Sequence, residues 1–146
     1  MADFSKAEQP YVQALCKWIV DTEPAIHEFE TITGSLEHHY AGQWDVKCTP
    51  QKGEFKGQYI LMDLKTTKGV YADQHFPQIE AYEQAEVECG EEPTDFRAIL
   101  QVGADADYSF QRSTDTFDDF RVLLEHHKSI TDRKARLKQL AMDAKV

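Results

Sequence analysis

Asp45, Asp63 and Lys65 are residue types that suit hydrolysis at a divalent cation. Two carboxylates that converge with no arginine between them repel each other unless a cation joins them. Hard cations such as magnesium favour oxygen ligands of this kind. Along a strand the side chains alternate, so within Gln58–Lys65 the residues Tyr59, Leu61, Asp63 and Lys65 share one face. Leu64 then points the other way, into a core. Asp45 precedes Asp63 by 18 positions, across a turn around Gly53, and a hairpin of that length brings the two together. Gly42 lies three residues before Asp45, where a missing side chain lets another group approach. Gln78 and Tyr82 are four apart and share one helical face. Gln78 both donates and accepts, and the Tyr82 hydroxyl suits a phosphate. Each feature also has a plain structural reading. Asp63 and Lys65 could form a surface ion pair contributing roughly 0–1 kcal/mol. Asp45 could be a solvated carboxylate, and Tyr82 could simply pack over a sheet beside an exposed Gln78.

The elements that must position these residues follow from periodicity. Ala7–Asp21 reads as a helix burying Tyr11, Leu15, Trp18 and Ile19, and Pro24 stops it. Ile26–Thr33, ended by Gly34-Ser35, reads as a first strand, Glu37–Cys48 as a second and Gln58–Lys65 as a third. Pro50-Gln51-Lys52-Gly53 turns the chain, and antiparallel pairing is expected. Asp73–Cys89 has helical apolar spacing at Phe76, Ile79, Ala81, Tyr82 and Ala85, with Gly90 as its stop. Asp95–Val102 and Asp107–Arg112 read as a hairpin bending at Gly103-Ala104-Asp105. Thr114–Lys128 reads as a helix whose buried side is Phe117, Phe120, Val122, Leu123 and Leu124. Thr131–Lys145 reads as a basic helix or fraying tail. The fold expected for residues 1–146 is one α/β (α+β mixed) domain, a mixed sheet flanked by helices.

Bulk properties narrow the classes. With 146 residues, 41% hydrophobic, the chain buries one core. A net charge of −10 argues against a protein that coats DNA electrostatically. It leaves room for one that meets DNA through a bound metal, which reverses the local charge. No apolar run approaches the roughly 20 residues of a membrane span. The opening Met-Ala-Asp-Phe-Ser-Lys lacks the basic-then-apolar order of a secretion signal, so a cytoplasmic protein is expected. Cys16, Cys48 and Cys89 form no C-x-x-C pair and are expected to be free thiols.

In order along the chain, these motifs resemble the PD-(D/E)XK nuclease superfamily, and within it the RecB-like exonuclease group. Gly42-Gln43-Trp44-Asp45 is similar to its G-x-x-D motif, Asp63-Leu64-Lys65 to its D/E-x-K motif, and Gln78-Ile79-Glu80-Ala81-Tyr82 to its Q-x-x-x-Y motif. The resemblance spans roughly residues 28–86. It implies a restriction-endonuclease-like core and hydrolysis of DNA phosphodiester bonds, more often as an exonuclease in recombination, repair or processing. On that resemblance Asp45, Asp63 and the Leu64 backbone carbonyl hold Mg2+ or Mn2+. Lys65 positions the attacking water, Gln78 orients it, and Tyr82 contacts substrate phosphate. Relatives often add an upstream acid or histidine. Glu30, which shares a strand face with Glu28, and His39, which shares one with Asp45 unless a bulge intervenes, are the candidates. Three poorly spaced cysteines do not match the four that hold an iron–sulfur cluster in some relatives. Arg133, Lys134, Arg136, Lys138 and Lys145 could guide DNA or form a solvated face. His126 and His127, being adjacent, do not share a helical face and read as surface residues. The expected partners are DNA and a second copy or a DNA-processing protein. The alternative is a nuclease-like binding module without turnover.

Overall fold

A computed structural model describes residues 3–145. Helix α1 (Gln9–Thr22) carries a proline in its first turn, where a missing N–H costs nothing. It ends at Glu23, which adopts φ 42° and donates its N–H to the Ile19 carbonyl (2.8 Å) just before Pro24. Strands β1 (Ala25–Ser35), β2 (Tyr40–Thr49) and β3 (Ile60–Lys65) follow, then helix α2 (Ala72–Glu88), strands β4 (Phe96–Val102) and β5 (Tyr108–Arg112), and helix α3 (Phe117–Asp143). The sheet runs β1-β2-β3-β4-β5, with β3 and β4 parallel and every other pair antiparallel. The parallel pair is joined through α2, as a crossover requires. The chain is therefore mixed α+β, a five-stranded mixed sheet flanked by three helices.

Two apolar layers hold the sheet between its helices. On one face Ala14 and Trp18 of α1 pack with Cys48, Ile60, Met62, Phe96, Ala98 and Leu100. On the other, Phe76 and Ile79 of α2 pack with Trp44, Leu61 and Ile99. Strand β3 contributes Ile60 and Met62 to the first layer and Leu61 to the second, the alternation read from its sequence. Leu64 joins the first layer, so Asp63 and Lys65 lie on the α2 face.

Several boundaries differ from expectation. Gly34-Ser35 does not end β1. The strand runs on through Ser35, whose hydroxyl accepts the His38 N–H (2.9 Å) and closes a turn over residues 36–39. Strand β2 consequently begins at Tyr40 rather than Glu37. Helix α3 is one continuous element of 27 residues, because no glycine or proline interrupts Ser129-Ile130-Thr131. Thr116 and Asp119 form a capping box at its start, so it begins at Phe117 rather than Thr114. Its apolar stripe is covered only in part: Phe117, Phe120 and Leu124 are half-buried, with Phe117 and Phe120 against Tyr40, whereas Val122 is 57% and Leu123 48% exposed. Ile19 of α1 is also exposed. No helix among the described residues is long and apolar enough to cross a membrane.

Candidate metal centre

The site forms where β2 and β3 part. Their ladder stops at Val46–Met62, so Leu64 finds no backbone partner on β2. The Asp45 carboxylate takes that place, with Oδ2 accepting the Leu64 N–H at 2.7 Å. A slip in alternation makes this reach possible. Trp44 packs with α2, and Lys47, three residues on, also bonds to α2. Regular pleating would put these two residues on opposite faces. Asp45 falls at the slip and aims at the edge of β3. The N–H and C=O of one strand residue point to the same side, so the Leu64 carbonyl also faces this gap.

Four of the expected side chains converge there. The Asp45 and Asp63 carboxyls lie within hydrogen-bonding reach of each other. Asp63 Oδ2 is 2.5 Å from Lys65 Nζ, which in turn donates to Gln78 Oε1 at 3.2 Å. Although buried and in ionic contact, Asp63 Oδ2 meets no donor with hydrogen-bond geometry. Burial pushes the Asp63 carboxyl up to about 6; Lys65 opposes the shift and Asp45 adds to it. Two adjoining carboxyls, one of them buried with Lys65 as its one cationic neighbour among the described residues, are a donor set that fits a hard divalent cation. Such an ion would offset the burial, and with it the Asp45 repulsion, that now favour a proton on Asp63.

Tyr82 approaches through α2. Burial first, then the fields of Asp63 and Asp45, push its hydroxyl up to about 12, so at neutral pH it is a donor. Gly42 makes its approach possible: a Cβ there would sit 2.5 Å from Tyr82 Cε1. Gly42→Ala is therefore expected to displace the tyrosine ring and cost about 1–3 kcal/mol of stability through overpacking. Chemical denaturation checks this, and a stability equal to wild type would contradict the contact.

The upstream candidates do not join the cluster. His39 lies outside β2, in the turn, exposed and with φ 59°, so it shares no strand face with Asp45. Glu30 falls opposite Asp45 in the register, between the pairs Phe29–Val46 and Thr31–Trp44. Its φ of 50° breaks the alternation that would have aligned it with Glu28, and it is exposed. Among the described residues neither forms a three-donor group with Asp45 and Asp63. The three-donor group that does form is Glu37, His38 and Glu88, at the β1–β2 turn. There His38 Nε2 lies 3.9 Å from Glu37 and 3.7 Å from Glu88.

Sequence reasoning passed over the charges beneath the site. Lys47 is fully buried, pairs with Glu86 at 2.6 Å and lies 4.9 Å from the Trp44 ring centroid. Glu80 meets Arg97 at 2.9 Å, and Glu83 accepts from the Thr94 N–H and hydroxyl at 2.6 and 2.9 Å. Glu80, Glu83 and Glu86 recur every three residues on α2, a spacing that could have flagged one buried polar stripe. His75 was also missed. Its Nδ1 accepts the Tyr71 N–H at 3.1 Å, and burial, then Lys65, hold the imidazole below its usual range. No protein-family profile matches the chain, and no curated protein matches it.

Proposed function

We propose that this chain is a magnesium- or manganese-dependent nuclease that hydrolyses DNA phosphodiester bonds, acting as an exonuclease. The observation that carries this reading is the meeting of Asp45 and Asp63 at the parted strands, with Lys65 held between Asp63 and Gln78. The ordered resemblance to the RecB-like motifs supports it. Asp45, Asp63 and the Leu64 carbonyl would hold the cation. Once bound, it would supply Lewis acidity at a phosphoryl oxygen and make nearby water a stronger nucleophile. Lys65 Nζ is tethered at two points and donates to the attacking water or to developing charge on the phosphate. Gln78 spends its carbonyl oxygen on Lys65, which leaves its amide N–H groups for water. Tyr82 keeps its proton and donates to a phosphate oxygen.

Titration calorimetry with manganese tests the metal assignment. Asp63 must lose its proton to bind, and that proton leaves only above about 6. Apparent affinity is therefore expected to be flat above that pH and to fall about tenfold per unit below it. An affinity unchanged between pH 5 and 7 would remove Asp63 from the ligand set.

A further inference from the structure

Glu37, His38 and Glu88 close round a small gap where the β1–β2 turn meets the last residue of α2. One ligand atom from each lies within 4.8 Å of the other two. His38 Nε2 is 3.9 Å from a Glu37 oxygen and 3.7 Å from a Glu88 oxygen, too far for a hydrogen bond to either. The donors are nevertheless held in place. The Ser35 hydroxyl accepts the His38 N–H at 2.9 Å and lies within hydrogen-bonding reach of the Glu88 carboxylate. Lys128 Nζ donates to the His38 carbonyl at 3.0 Å, and the imidazole packs on Phe117 with ring centroids 4.8 Å apart. Gln84 Nε2 donates to Glu88 Oε1 at 3.0 Å. The turn, α2 and the first half of α3 thus fix the imidazole and one carboxylate, while the Glu37 side chain is 74% exposed and can swing.

We infer that Glu37, His38 and Glu88 bind a divalent cation of the zinc type, at a site that shares no ligand with the Asp45–Asp63 pair. Zinc bonds of roughly 2.0–2.2 Å place two tetrahedral ligands roughly 3.3–3.6 Å apart. The two distances to Nε2 therefore need to close by only a few tenths of an ångström, and an inward turn of Glu37 completes the set. Two carboxylates and a neutral imidazole balance a divalent charge. The nitrogen donor selects zinc over magnesium, which demands near-octahedral oxygen ligands. Glu88 ends α2, where the carbonyl end of the helix carries partial negative charge and favours a cation. The gap itself favours an ion over a plain pair of salt bridges, because a protonated imidazole would draw a carboxylate into a contact of roughly 2.7–2.9 Å. Bound there, the ion would pin the β1–β2 turn to α2 and leave its fourth position to water.

Calorimetric titration of zinc chloride into wild type, Asp63→Ala, His38→Phe and Glu88→Gln tests the site, with magnesium in excess to occupy oxygen-only sites. His38→Phe keeps an aromatic ring against Phe117 but removes the nitrogen. Glu88→Gln keeps a side chain that Gln84 and Ser35 can still bond. Wild type and Asp63→Ala are expected to bind a single zinc ion with the same affinity. His38→Phe and Glu88→Gln are expected to bind it about tenfold more weakly or worse, since even the loss of a partner behind a ligand costs roughly that much. Thermal unfolding with and without zinc shows that each variant folds. Zinc is expected to raise the Tm of wild type and Asp63→Ala and to leave that of His38→Phe unmoved. Unchanged zinc affinity in His38→Phe, no zinc binding by wild type, or loss of zinc binding in Asp63→Ala with its retention in His38→Phe would overturn the inference.

Discussion

Asp63→Ala and Lys65→Ala are each expected to lose magnesium-dependent DNA hydrolysis, the first by about 10³-fold or more and the second by about 10²–10³-fold. The first removes a ligand from a site whose cation supplies several kcal/mol of charge stabilisation, at 1.36 kcal/mol for each tenfold in rate. The second removes one pre-positioned donor, and losses of that kind run to roughly 3–4 kcal/mol. The variants should differ in manganese binding. Asp63→Ala loses an oxygen ligand. Lys65→Ala keeps both carboxylates but removes the cation that now opposes the rise in the Asp63 pKa. Its manganese binding is therefore expected to survive at neutral pH and to weaken first in acid. Single-turnover kinetics beside calorimetry separates the two. Full activity in Lys65→Ala would show that the lysine is only a structural ion pair.

Lys47→Ala carries the largest expected effect on stability, a loss of about 3–5 kcal/mol, because it leaves Glu86 buried without a counter-ion. Burial opposes ionisation of Glu86, yet Lys47 and its other partners hold the carboxyl below its usual range. That depressed value means the stabilisation is present at neutral pH and is lost as pH falls through it. The double replacement Lys47→Met with Glu86→Leu removes both charges and is expected to recover most of the loss. Urea denaturation of the two variants measures this. A single variant as stable as wild type would mean that the pair carries no net stabilisation.

How much was legible depends on how regular the backbone is at each residue. Asp63 and Lys65 lie on an evenly pleated strand with Leu61 and Leu64 as apolar markers, so parity placed them correctly on one face. Gln78 and Tyr82 lie on an uninterrupted helical turn, and their spacing carried over as well. Asp45 was brought near Asp63 by the hairpin, but the slip between Trp44 and Lys47 has no signature in residue types. Its bond to the Leu64 N–H was therefore out of reach of pattern reading. His39 went astray for a related reason: Gly34-Ser35 resembles a strand end, whereas Ser35 caps the turn that follows it. Lys47 reads as a solvent residue because a lone lysine on a strand normally is one, and its partner Glu86 lies 39 positions away. Phe117, Phe120 and Leu124 of α3 recur at helical spacing and are half-buried, whereas the adjoining Val122 and Leu123 are exposed, and residue types alone cannot say how far a neighbour covers the helix.

The most direct test of metal-dependent strand hydrolysis is a time course on linear single-stranded, linear duplex and closed circular DNA, with magnesium or with excess chelator. Progressive loss of nucleotides from the linear substrates in magnesium only, with the closed circle spared, is the predicted result. Intact DNA in every magnesium reaction, or equal digestion with chelator present, would contradict it.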